Sequence, residues 1–147
     1  MTDTTSSQTN PTPSATAPRQ TFVNLPVKDL ARATDFFTGL GFALNPYASS
    51  DQSACVVISD HAHVMLHVEP YFAEFTSSAI TDTSTTREVA MGISAASRDE
   101  VDNLVATAIA AGGEGMGEAI DDGSMYMRAF RDLDGHQWSL LYMEISS

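Results

Sequence analysis

The sequence predicts an α+β fold: two tandem βαβββ modules forming a curved mixed sheet around a cavity. Three observations lead there. Residues 21–27, "TFVNLPV", alternate between an apolar face of Val23, Leu25 and Val27 and a second face of Phe22, Asn24 and Pro26. A helix-spaced stretch follows at once, and the same strand-then-helix order returns from Arg87 onward. Near the end, "FRDLDGHQWSLLYME" places an Asp-Leu-Asp-Gly turn between two apolar runs, as a hairpin requires.

The elements follow in order. In "KDLARATDFFTGLGF", Leu30, Ala33, Phe37 and Leu40 keep helical spacing, with Asp29 as N-cap and Gly41 as the stop. Three short apolar runs complete the first module, at 42–47, 54–59 and 62–68. The second module opens with the strand "REVAMGIS". In its helix, "SRDEVDNLVATAIAAGG", Ser97 and Glu100 form a capping box, and Val101, Leu104, Val105, Ala108 and Ile109 make the apolar stripe. Further strands fit 115–120, 124–130 and 136–143. The modules span about 21–68 and 87–144, within one domain at 19–147.

The linker 69–86 carries Tyr71, Phe72 and Phe75. A connection this long is either a short helix plugging the core edge or a ligand-covering lid. Residues 1–18, rich in Thr, Ser and Pro, cannot bury enough apolar surface to offset their ordering entropy and read as a disordered tail.

Composition narrows the function. A formal charge of −12 over 147 residues repels phosphate backbones and anionic lipid, so neither nucleic acid nor membrane is an expected partner. No apolar run approaches the ~20 residues of a membrane span, and no signal-peptide pattern opens the chain. The single cysteine, Cys55, permits no internal disulfide and reads as a buried thiol. A cytoplasmic protein is expected.

With these motifs in place, "FVNLPVKDLARATDFFTGLGF" resembles the opening of a vicinal oxygen chelate domain, and "FRDLDGHQWSLLYME" resembles its closing hairpin. This superfamily includes glyoxalase I, extradiol dioxygenases and bleomycin-resistance proteins. In its metal-dependent members four cavity-facing strand positions supply His, Gln or Glu. The resemblance carries these onto Asn24, Met65, Ala90 and Ser139. Amide, thioether, methyl and neutral hydroxyl groups are poor donors for a divalent ion, so no metal or other cofactor is expected. A relocated site would draw on His67, Glu88 and His63. However, His63 and His67 stand ~13 Å apart along a strand that rises ~3.3 Å per residue.

The remaining cavity expectation concerns the last hairpin. Closed around "DLDG", it pairs Arg128 with Ser139 and Tyr126 with Leu141, turning both Arg128 and Tyr126 into the cavity. Arg128 then either anchors an oxyanion or pairs with an acidic neighbour. The expected ligand site comprises Phe22, Asn24, Met65, His67, Glu88, Ala90, Tyr126, Arg128 and Ser139. The expected function is metal-independent binding of an anionic or aromatic small molecule, resembling the sequestering resistance branch. The alternative is a glyoxalase-type lyase, isomerase or dioxygenase holding one divalent metal ion, and the sequence leaves open whether any reaction is catalysed. The resemblance also implies a homodimer.

Overall fold

The computed structural model describes residues 19–144, so the expected tail at 1–18 lies outside the described residues. Two four-stranded mixed sheets are present, each with its own helix, in the duplicated order the sequence indicates. The first module contains β1 (Thr21–Val27), α1 (Leu30–Gly39), β2 (Ala43–Leu44), β3 (Ser53–Ser59) and β4 (Ala62–Val68), arranged β1-β4-β3-β2. The second contains β5 (Ala90–Ser94), α3 (Arg98–Ala110), β6 (Glu114–Asp121), β7 (Met125–Arg131) and β8 (Gln137–Met143), arranged β5-β8-β7-β6. Between them lies α2 (Glu69–Thr76). In each sheet the first strand pairs parallel with the last, and the other pairings are antiparallel.

Local chemistry sets the helix ends. Asp29 accepts from the Arg32 amide at 3.1 Å, and Ser97 accepts from the Glu100 amide at 3.0 Å. Glu100 reaches back to the Ala96 amide at 2.6 Å, one residue earlier than a standard capping box. Gly41 and Gly112 leave α1 and α3 with φ of +104° and +106°, where a side chain would be strained.

One core joins the modules. Val23, Leu25 and Val27 of β1 meet Val64 and Leu66 of β4 beneath α1, while Phe130, Trp138 and Leu140 lie beneath α3. The link is aromatic: Phe37 lies 5.0 Å from Trp138 and Phe36 lies 6.1 Å from Phe130, centroid to centroid. Each such ring, fully buried, contributes about 1.5–3 kcal/mol of transfer free energy. The apolar faces of both sheets are therefore used up against the shared core, and the opposite faces are left for function. Among the described residues, no helix is long and apolar enough to cross a membrane.

Candidate functional site

The outward face of the first sheet carries Phe22, Asn24 and Pro26 beside His63, Met65 and His67, with Ser53, Cys55 and Val57 next in register. His67 organises it. Its Nε2 donates to Asn24 Oδ1 at 2.7 Å, and its Nδ1 accepts from Ser53 Oγ at 2.6 Å. Both ring nitrogens are thus committed in the neutral form, and burial pushes the imidazole pKa down. The rings of Tyr71, Phe72 and Phe75 on α2 close over it at 5.4, 6.4 and 5.0 Å. Part of the linker is therefore a helix covering this face. Cys55 is fully buried, and burial raises its thiol pKa.

The four positions that would hold a metal do not suit one. Asn24 already bonds His67, and Met65, Ala90 and Ser139 offer no charged donor. Asn24 and Met65 lie on the first sheet, Ala90 and Ser139 on the second. The relocated set fares no better. His63 donates from Nε2 to Gln20 at 2.6 Å and stacks on Phe22 at 4.8 Å. Glu88 lies 3.9 Å from His136 Nδ1, beyond hydrogen-bond reach. Among the described residues, no three His, Cys, Asp or Glu side chains converge as a metal site.

The last hairpin departs from expectation by one residue. Asp132 and His136 pair through their backbones, leaving a three-residue loop in which Gly135 takes φ of +81°. An odd-length loop moves the register, so Ser139 faces Ala129, Leu141 faces Met127 and Gln137 faces Arg131. Arg128 and Tyr126 are consequently on the helix side, opposite Leu140 and Tyr142, and their side chains turn to Asp102 of α3, although Arg128 also borders the cavity. There Asp102 of α3 accepts from the Tyr126 hydroxyl at 2.6 Å and from Arg128 Nη1 at 3.2 Å. The Tyr126 hydrogen bond, and then Arg128, hold the Asp102 carboxyl below its usual range. Of the two readings of Arg128, the ion pair is the one seen, with Asp102 as partner.

The cavity-facing arginine is Arg131. The face of the second sheet turned away from α3 forms an open cavity of about 480 Å³. Met116, Ile120, Met127 and Ala129 form its apolar floor, and Arg131, Gln137 and Ser139 its polar edge, with Glu114 and Glu118 also lining it. Arg131 Nη1 lies a loose 3.5 Å from Glu114, and its Nε is buried without a partner. Sequence reading missed Arg131 because β7 carries an arginine on each face, and only loop length decides which one enters the cavity.

The hairpin itself is held by Asp132. Its Oδ1 accepts from the amides of Asp134 and His136 at 2.9 and 3.0 Å, and its Oδ2 from Trp138 Nε1 at 2.9 Å. Burial raises the Asp132 pKa, with the His136 charge and these hydrogen bonds opposing. His136 Nε2 donates to the Pro26 carbonyl at 2.7 Å, and Asp134 accepts from the Lys28 amide at 2.8 Å. The hairpin is thereby bonded to the end of β1.

Comparisons with known proteins agree with this architecture. Residues 19–59 match the family model described as bleomycin resistance protein-like N-terminal. A hypothetical protein from S. aureus is 28% identical, with 82% of this chain and 91% of that chain aligned and a TM-score of 0.72. A glyoxalase/bleomycin resistance protein/dioxygenase family enzyme from Burkholderia phytofirmans is 15% identical over 83% and 96% of the two chains, TM-score 0.71. A fosfomycin resistance protein from Listeria monocytogenes is 18% identical over 91% and 96%, TM-score 0.59. No curated protein sequence matches the chain.

Proposed function

Starting from a chain with the fold of the vicinal oxygen chelate superfamily, whose relatives by shape include enzymes and resistance proteins, we propose that it binds an organic anion without a resident metal ion. The ligand lies on the face of the second sheet turned away from α3. Its apolar or aromatic body rests on Met116, Met127 and Ala129, and its anionic group meets Arg131, with Gln137 and Ser139 alongside. The observation that carries this reading is Arg131 itself. Its guanidinium is about 35% exposed at the edge of a cavity of ligand size, and its ion-pair partner among the described residues is Glu114, a loose 3.5 Å from Nη1. An incoming carboxylate competes with Glu114 for the accessible guanidinium nitrogens in a charge-assisted contact.

Sequestration is the function we favour, with Arg131, Gln137 and Ser139 as the grip and Glu114 and Glu118 flanking it. The open cavity and the half-exposed Phe22 and Ile120 suit a second copy of the chain as cover, so we extend the proposal to a homodimer. Titrating the full chain with 1-naphthoate and with neutral 1-naphthamide tests the reading. Naphthoate should bind at least tenfold more tightly, and equal affinities would overturn the anion anchor.

A further inference from the structure

We propose a second ligand site, for a small organic ammonium ion, in the cleft between the free edge of β1 and the chain running from α2 to β5. β1 is an edge strand, so one of its flanks has no sheet partner. Ser77 leaves α2 in the left-handed conformation, with φ of +54°, and Ser78, Ala79 and Thr81 then line the cleft beside β1. The same segment is tied to the closing hairpin. Thr83 donates its hydroxyl to the Asp134 carbonyl, and Arg87 donates to the carbonyls of Thr83 and Gly135. These bonds hold one wall of a cavity of about 280 Å³, which shares no lining residue with the cavity of Arg131.

The lining has one sign of charge. Val23, Leu25, Pro26, Phe72 and Val89 supply apolar wall, Glu88 is the sole charged lining residue, and no Lys or Arg borders the cavity. Among the described residues the ion-pair candidate for Glu88 is His136, whose Nδ1 lies 3.9 Å away. His136 donates from Nε2 to the Pro26 carbonyl, so in the neutral ring Nδ1 carries a lone pair, and it is buried without a donor. Two acceptors therefore face each other, and the Glu88 carboxylate keeps its charge uncompensated. An ammonium ion brings the counter-charge and the N–H donors that Glu88 lacks, and the Phe72 ring offers it a cation–π face. Asn24 Oδ1, which accepts from His67 with one lone pair, and the Thr81 hydroxyl supply further acceptors, which favours a primary ammonium over a quaternary one. The volume falls just below the roughly 300–1,000 Å³ of drug-sized pockets, so the ligand is small. The net charge of −12 draws cations toward the chain.

Calorimetric titration of the full chain with 2-phenylethylamine, a cation at neutral pH, and with uncharged 2-phenylethanol tests the site. One equivalent of the amine should bind saturably and at least tenfold more tightly than the alcohol, a comparison that needs no variant. Glu88→Gln should weaken amine binding at least tenfold, with the urea midpoint and the affinities for the alcohol and for 1-naphthoate as in the parent chain. Glu114→Gln/Glu118→Gln, which neutralises both carboxylates of the other cavity, should bind the amine like the parent. Absence of saturable amine binding, equal affinities for amine and alcohol, an unaffected Glu88→Gln variant, or amine binding lost with Glu114 and Glu118 would overturn the proposal.

Discussion

Replacing Asp132 with alanine should uncouple the closing hairpin from the core. The change removes one carboxylate and strands three donors: the Trp138 indole and the amides of His136 and Asp134. Trp138 and His136 are 1% and 2% exposed, so water cannot replace the lost acceptor at either. Each buried unsatisfied donor costs about 1–3 kcal/mol, giving about 2–6 kcal/mol for these two. Burial of the carboxylate opposes this, as its raised pKa records, so the net loss should be about 2–4 kcal/mol. Asp132→Asn keeps an oxygen for the amides but turns an NH₂ toward the indole, and should lose about half as much. Trp138 is the only tryptophan, so urea unfolding followed by its fluorescence reads the site directly. A loss below 1 kcal/mol for the alanine variant, or an asparagine variant equally damaged, would refute the reasoning.

Three more expectations concern other parts of the molecule. His67 has a folded pKa below its ordinary 6.5, so its stabilising contribution is complete above pH 6.5 and lost as pH falls through the folded value. His67→Gln should flatten the fall in urea midpoint between pH 7 and 5 relative to the parent chain; unchanged steepness would contradict the buried neutral imidazole. Phe37→Ala should cost about 3–5 kcal/mol by opening a cavity beside Trp138, and a loss under 1 kcal/mol would show that the modules are not joined through that contact. Purified protein should hold less than about a tenth of an equivalent of Zn, Ni, Fe or Mn, with EDTA leaving its melting temperature unchanged. A full equivalent of tightly bound metal by elemental analysis would overturn the metal-free reading.

The fold was legible because strand and helix periodicity depend on residues a few positions apart. The alternation of Val23, Leu25 and Val27, the Asp29 cap and the Gly41 stop all occupy the places expected. The site was legible only in part. Asn24, Met65 and His67 share a face because a single strand or parallel pair fixes them. Arg128 was misplaced because pairing across a hairpin depends on the parity of its loop, and Gly135 serves a three-residue turn as well as a two-residue one. Nor could the sequence reveal that His67 is doubly hydrogen-bonded. Asn24 is 43 residues away and Ser53 is 14 away, on different strands, and no local pattern joins the three.

The central claim is that Arg131, and not Arg128, faces the ligand. Titration of 1-naphthoate into the parent chain, Arg131→Met and Arg128→Met tests it most directly. Arg131→Met should weaken binding at least tenfold, about 1.4 kcal/mol or more, with naphthamide affinity nearly unchanged. Arg128→Met should bind naphthoate like the parent and instead lower the urea midpoint, through loss of its contact with Asp102. Naphthoate binding lost in Arg128→Met and kept in Arg131→Met would contradict both the hairpin register and the site built on it.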